Sequence, residues 1–141
     1  MSDKLLYAIP PGLYCVPSAL VAITGRDYES VIWPALNRHS GKPYLLGAIE
    51  GVRMHAATKA LEELGYHVRR YKDKKEKPLR AQVRTWAKRF PDHTVLLSTS
   101  THCLVARGGR VFDTYHPHGP DAEDHTYART VVTWAALVQK M

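Results

Sequence analysis

The sequence has few cysteines, no long apolar run, and no repeated or low-complexity segment. Its 141 residues include two cysteines, Cys15 and Cys103, which would stay reduced in a cytosolic protein and are not expected to form a disulfide. No apolar run approaches the roughly 20 residues of a membrane-spanning helix, and the first residues lack the features of a signal peptide. We therefore expect a cytoplasmic protein with one domain over residues 1–141 and no membrane partner.

Acidic residues are also in deficit, with 13 against 20 lysines and arginines, for a net charge of +7. Much of the excess positive charge lies in one stretch, which predicts a basic surface formed by Arg69, Arg70, Lys72, Lys74, Lys75 and Lys77. Such a surface would attract acidic partners, nucleic acid included. Charge runs of this kind are usually solvated, and no aromatic stacking platform accompanies this one, so nucleic-acid binding is a minor hypothesis.

The spacing of apolar residues predicts two helices in the first 40 residues. The first runs from about Pro17, which suits a first helical position, to Thr24, and it ends at Gly25. Asp27 can cap the second helix, in which Pro34 either bends the helix or delays its start. The apolar residues of this second helix that should face the core are Val31, Ile32 and Leu36.

The rest of the chain alternates between helical and extended patterns. The expected elements are a loop over 40–51, a helix over Val52–Leu64, a strand over Tyr66–Tyr71, a helix over Leu79–Phe90 and a central strand over Thr94–Thr99. The segment Tyr127–Val138 stays open, because its β-branched first half favours a strand and its alanines favour a helix.

Two consecutive glycines, Gly108 and Gly109, separate apolar-alternating runs and predict a β-hairpin. With these glycines as the turn, Arg107 lies opposite Arg110. Counting outwards by twos then places His102 and Asp113 on one face as diagonal neighbours, about 7–8 Å apart at Cα. An aspartate there can hold the imidazole in one tautomer and leave its other nitrogen free for a thiol.

Cys15 immediately precedes the first predicted helix. Unpaired N–H groups and the positive end of the helix dipole favour a thiolate at that position, and the thiolate is the reactive form of cysteine. Cys15, His102 and Asp113 together are the groups that thiol-based acyl transfer needs. Taken singly, the cysteine could be a small buried apolar residue and the histidine a solvated residue at a strand edge.

These motifs resemble the papain-like clan, in particular its bacteriocin-leader-processing branch and small papain-like proteins of phages and bacteria. The similarity covers about residues 14–118. The matching motifs are Cys15-Val16, Thr24-Gly25-Arg26-Asp27-Tyr28, Glu63-Leu64-Gly65-Tyr66, His102 and Asp113-Thr114-Tyr115.

The resemblance implies an α+β fold in which N-terminal helices, the nucleophile helix first, pack on a C-terminal antiparallel sheet. It implies a cysteine peptidase-like hydrolase or acyl transferase with a Cys-His-Asp triad, a peptide or protein substrate, no cofactor, and a host cytoplasm if the chain is phage-encoded. The family's upstream Gln is missing, since Ile9 and Pro10 occupy that region. The Cys15 N–H would then stabilise an oxyanion, with Tyr14 and Tyr7 as candidate donors and Tyr115 as a further cleft residue.

Two alternatives remain. One is a papain-like scaffold, weakly active or inactive, that binds a host protein or nucleic acid through the basic surface. The other is a zinc site drawn from Cys15, His102, Cys103, Asp113, His116 and His118. Neighbours in a strand point to opposite faces, which opposes a shared ion for His102 and Cys103, and no metal is expected. No role is predicted for the surface or element-end histidines His39, His55, His67, His93 and His125.

Overall fold

The computed structural model describes residues 7, 9–10, 14–40, 53–71, 76–100 and 102–141, and they form an α+β fold. The helices are α1 (Cys15–Thr24), α2 (Trp33–His39), α3 (Met54–Glu63) and α4 (Leu79–Arg89), with a π-helical turn at Tyr28–Ile32 and a 3₁₀ turn at Ala122–Asp124. The strands are β1 (Tyr66–Tyr71), β2 (Thr94–Ser98), β3 (Cys103–Arg107), β4 (Arg110–Phe112) and β5 (Trp134–Lys140). Among these residues, no helix has the length and apolar character needed to cross a membrane.

The five strands form one antiparallel sheet in the order β1-β5-β2-β3-β4. The expectation that β2 is central is confirmed. Because successive side chains of a strand point to opposite faces, the sheet offers two apolar surfaces. Helices α1, α2 and α3 cover the face that carries Leu96 and Val105, and α4 covers the face that carries Leu97 and Leu104. The sheet is therefore the middle layer of three.

Helix α1 begins earlier than its proline suggested. Its first residue is Cys15, and Pro17 is the third. The missing N–H of proline is tolerated there because the first four N–H groups of a helix have no intrahelical acceptor. The predicted end is confirmed, since Gly25 has φ 69° and its N–H donates to the Val21 carbonyl at 2.7 Å. Cys15 therefore lies within the first turn.

The second predicted helix consists of two parts. The Asp27 carboxylate accepts a hydrogen bond from the Ser30 N–H at 2.9 Å, as the capping pattern predicted. The π-helical turn follows, and α2 starts only at Trp33, so Pro34 falls in its first turn and delays the α-helix. Ile32 and Leu36 are fully buried in the core, whereas the third expected core residue, Val31, is only half-buried.

Helix α3 is attached to α2 by a cluster of charged groups. The Glu63 carboxylate accepts from the Arg38 guanidinium at 2.9 Å and lies 3.0 Å from His39 Nε2. The hydrogen bond from Arg38 outweighs the opposing effect of burial and lowers the pKa of Glu63 to about 2. The predicted loop, apart from Ser40, and the predicted helix start at Val52 lie outside the described residues.

The segment Tyr127–Val138, which stayed open between helix and strand, is a strand only in its second half. Its β-branched first half is irregular, and β5 begins at Trp134. Strand β5 lies between β1 and β2, with Leu137 opposite Val95 and Val138 opposite Val68. An interior strand is covered on both faces, so it reads as a continuous apolar run rather than an alternating one. This burial explains why Ala135 and Ala136, both buried, extend as a strand despite their helix propensity.

Gly119 occupies a position that only glycine fits. It has φ 69°, and a Cβ there would overlap the ring of buried Phe112. We expect Gly119→Ala to lower the free energy of unfolding by about 1–2 kcal/mol for the left-handed backbone, with a further cost for moving the ring. The matched control is Gly65→Ala, because Gly65 has φ 94° but open space around it. Equal losses for both variants in urea unfolding would contradict the role given to Phe112.

Candidate active site

The packing of α1 on β3 brings Cys15 next to residues that lie far away in sequence. The Cys15 thiol is half-buried, and its hydrogen-bonding neighbours are His102 and the backbone of Cys103 and Val16. Burial alone would raise the pKa of this thiol, but the hydrogen bond and charge of His102, with the backbone hydrogen bonds, lower it below its ordinary value. The other cysteine behaves differently, because full burial and the nearby Cys15 charge raise the pKa of Cys103.

His102 immediately precedes β3 and is held there by its backbone. Its carbonyl accepts from the Thr99 N–H at 2.8 Å, and its own N–H donates to Thr99 Oγ1 at 3.0 Å. Its Nε2 lies 2.8 Å from Asp113 Oδ2, which leaves Nδ1 for the Cys15 thiol. Burial works to lower the pKa of His102, but the hydrogen bonds with Asp113 and Cys15 raise it to about 9.

The Asp113 side chain is fully buried just after β4. Its Oδ1 accepts from the backbone N–H groups of Tyr115 and His116, at 3.1 and 2.7 Å, and lies 2.9 Å from His116 Nδ1. Burial would raise the pKa of Asp113, but the hydrogen bonds with His102 and His116 lower it to about 2. The carboxylate is therefore ionised, and its Oδ2 faces His102.

The hairpin register predicted from the glycine pair is the observed one. Arg107 lies opposite Arg110, and the pairing ends with Val105 opposite Phe112. His102 and Asp113 therefore lie just beyond the paired residues. Diagonal neighbours are expected to lie about 7–8 Å apart at Cα, and the two side chains span this distance, so that His102 Nε2 lies 2.8 Å from Asp113 Oδ2.

Two tyrosine rings contact the His102 imidazole. The Tyr115 ring lies 5.6 Å away at an interplanar angle of 30°, and the Tyr127 ring lies 5.1 Å away at 37°. Tyr115 was predicted as a cleft residue and is 70% exposed, so it marks the solvent side of the imidazole. Tyr127 was not predicted, because it falls in an irregular segment with no periodic pattern. Both rings limit the rotation of the imidazole.

The candidate oxyanion donors divide between the two ends of α1. Tyr14 is the N-cap residue, is 47% exposed and lies next to Cys15. Tyr7 was wrongly predicted, because its ring packs against Gly25 at the opposite end of the ten-residue helix, about 15 Å from the first turn. The Cys15 N–H remains a donor, because the N–H groups of the first turn have no intrahelical acceptor.

A histidine cluster surrounds Asp113, and of its members His116 was among the candidate zinc ligands whereas His125 was given no role. The prediction that His125 lies at the surface is wrong, because its side chain is fully buried and its Nε2 lies 3.6 Å from Asp113 Oδ2. Possible ligand atoms of Asp113, His116 and His125 lie within 4.8 Å of one another. However, the Tyr127 N–H donates to His125 Nδ1 at 3.0 Å, so Nε2 carries the proton and has no lone pair for a metal. The cluster therefore fits a hydrogen-bond network better than a metal site.

Half of the predicted basic surface lies within the described part of the chain. Of its six members, Lys72, Lys74 and Lys75 lie outside the described residues, while Arg69, Arg70 and Lys77 are exposed. The two arginines belong to β1, an edge strand that β5 and β2 separate from β3. Their guanidinium groups stack on aromatic rings, Arg69 on Tyr71 at 5.2 Å and Arg70 on Trp134 at 5.8 Å.

Comparisons of the chain with protein-family models, with curated proteins and with solved structures found no match. Functional interpretation therefore depends on the site itself. A thiol with a lowered pKa contacts a histidine with a raised pKa, which contacts a buried carboxylate. Such an arrangement can supply a nucleophile, a proton donor and acceptor, and a group that orients the imidazole.

Proposed function

We propose that the protein is a thiol-dependent hydrolase or acyl transferase that acts on an amide or thioester bond of a peptide or protein. Cys15 is the nucleophile, His102 the general acid and base, and Asp113 the group that orients His102. The observation that carries the proposal is that His102 Nε2 lies 2.8 Å from the buried Asp113 Oδ2, while the same imidazole is the neighbour that lowers the pKa of the Cys15 thiol. A papain-like arrangement, in which the nucleophile opens a helix packed on an antiparallel sheet, is part of the same proposal.

The chemistry follows from the two protonation states of His102. The Cys15 thiolate attacks the carbonyl carbon, and the Cys15 N–H donates to the oxyanion that forms. His102 then transfers its Nδ1 proton to the leaving amine or thiolate as the bond to carbon breaks. Neutral His102 next removes a proton from water, or from another acceptor nucleophile, which attacks the thioester and releases Cys15.

The pH dependence of Cys15 alkylation tests this proposal. Because the pKa of Cys15 is lowered, the thiol should already react with iodoacetamide well below pH 8, and its rate should level off at a lower pH than that of an ordinary thiol. Substrate turnover should fall again as the pH rises through about 9, where His102 loses the proton for the leaving group. Mass spectrometry and the Cys15→Ala variant distinguish the labelling of Cys15 from that of Cys103. A thiol that reacts only above pH 8 would rule out the enzyme.

Binding of an acidic protein or nucleic acid is the second candidate function. It is supported by the three exposed cationic residues of the basic surface on and after the edge strand β1, namely Arg69, Arg70 and Lys77. If nucleic acid binds there, we expect its affinity to fall steeply between 50 and 200 mM salt, because bound counterions are released. The double variant Arg69→Gln/Arg70→Gln should reduce the slope of affinity against salt concentration, measured by fluorescence anisotropy, whereas Lys140→Gln on β5 should not. An unchanged slope would remove this surface as the nucleic-acid site.

A further inference from the structure

His125 is buried beside the proposed triad, yet no step of the proposed reaction uses it. Its side chain has no exposed surface, and among the described residues its Nε2 has no hydrogen-bond partner. Asp113 Oδ2 lies 3.6 Å from this nitrogen, and the same oxygen lies 2.8 Å from His102 Nε2. A buried polar atom without a hydrogen-bond partner is uncommon in folded proteins and calls for an explanation.

The proton of His125 is located by its other nitrogen. The Tyr127 backbone N–H donates to His125 Nδ1 at 3.0 Å, and a backbone amide can only donate. Nδ1 is therefore the acceptor of a neutral imidazole, and Nε2 carries the hydrogen that faces Asp113. A distance of 3.6 Å is too long for a hydrogen bond, so this donor is aimed at the carboxylate without bonding to it.

The two carboxylate oxygens of Asp113 differ in how many further hydrogen bonds they can accept. Oδ1 already accepts from two backbone N–H groups and contacts His116 Nδ1. Oδ2 has one close partner, His102, although a carboxylate oxygen has two lone pairs. One lone pair of Oδ2 is thus available to a second donor, and His125 is the buried group placed to supply it.

We propose that His125 is a positioning residue whose neutral Nε2–H bonds to Asp113 Oδ2 whenever the His102 imidazolium has given up its proton. This role rests on the proposed function. When His102 is neutral, it still donates its Nε2–H to Oδ2, but the buried carboxylate loses its cationic partner, so a second donor to Oδ2 gains in value. A movement of about 0.7 Å would bring His125 to hydrogen-bond distance and keep Oδ2 directed at His102.

A neutral donor suits this position better than a charged one. Burial lowers the pKa of His125, and although the Asp113 charge opposes this, His116, His102 and His118 add to it. Tyr127, whose ring lies 5.6 Å from the His125 ring, is a further titratable neighbour among the described residues. A cationic His125 would compete with His102 for the carboxylate and weaken the imidazolium that protonates the leaving group. The charge therefore stays on His102.

The step most sensitive to His125 is deacylation, because His102 must be neutral to accept a proton from water. With p-nitrophenyl acetate, we expect the wild-type protein to show a burst of acylation and then a slower steady rate. His125→Leu should slow the steady rate about 10- to 100-fold, the usual effect of losing one hydrogen bond to a charged group, and leave the burst rate within about threefold. His125→Gln, which retains an N–H donor, should restore most of the steady rate.

The control is His67→Gln, which removes an exposed imidazole on the edge strand β1. A steady rate unchanged in His125→Leu would overturn the inference while leaving the proposed function intact, whereas a wild-type protein without a burst would overturn both. If His125→Leu does not fold, the ¹⁵N shifts of the wild-type histidines decide. They should show the neutral His125 imidazole protonated at Nε2, and a neutral imidazole protonated at Nδ1 would overturn the inference.

Discussion

Replacing His102 with glutamine is expected to reduce turnover severely and to make Cys15 no more reactive than an ordinary thiol, or less. The substitution removes the hydrogen bond and the positive charge that lower the pKa of Cys15, but it leaves the burial that raises it. The midpoint of iodoacetamide labelling should therefore move to higher pH. Hydrolysis should fall about 10²–10⁴-fold or more, because the proton donor to the leaving group is lost as well.

Two measurements separate these effects. The labelling rate against pH reports the thiolate, and the steady rate with an activated ester reports proton transfer. His67→Gln is the matched control, because His67 is an exposed histidine on β1. An unchanged labelling midpoint in His102→Gln would mean that the helix terminus and backbone contacts alone set the Cys15 pKa.

For Asp113→Asn, we expect a loss of about 10²–10⁴-fold in turnover through the wrong histidine tautomer. The amide nitrogen of asparagine is a donor, and the site of Oδ1 already faces the fixed N–H groups of Tyr115 and His116. The nitrogen must therefore occupy the position of Oδ2 and donate towards His102 Nε2. His102 would then carry its proton on Nδ1 when neutral, and it could not act as a base towards Cys15 or water.

The same variant should change how stability depends on pH. The pKa of Asp113 is lowered to about 2, so its ionisation stabilises the fold above its unfolded pKa of about 3.9. That contribution, about 2 kcal/mol, is lost as the pH falls from about 4 to 2. As the pH is lowered from 5 to 2, the free energy of unfolding should fall more steeply for the wild-type protein than for Asp113→Asn. Parallel curves would contradict this, and Asp92→Asn at an exposed carboxylate provides the control.

The contact between His102 and Asp113 could be predicted from the sequence because it depends on local rules. Gly108 and Gly109 define the turn, and the two-residue period of a strand then determines which side chains share a face. The position of Cys15 was predictable for a similar reason, since an apolar run with helical spacing follows it. One further assumption, that the helix packs over the hairpin, came from a family resemblance rather than from any local pattern.

The rest of the site depends on tertiary packing that local patterns do not encode. His125 and Tyr127 belong to an irregular stretch between the 3₁₀ turn and β5, where no period indicates which side chains are buried. Tyr7 was misplaced because closeness in sequence to Cys15 was taken as closeness in space, although the ring packs at the far end of α1. The extended conformation of Ala135 and Ala136 likewise follows from an interior position that the sequence does not state.

The interior position of β5 also links the activation of the thiol to the order of folding. Among the described strands, β1 joins the sheet only through β5, while β2, β3 and β4 can pair as a local meander. During synthesis, the β3–β4 hairpin can therefore form early, whereas β1, against which α3 packs, joins the sheet only when β5 inserts. Val138 of β5 also completes the core under the three helices. If Cys15 is the proposed nucleophile, we expect its full reactivity to appear only with the completed sheet.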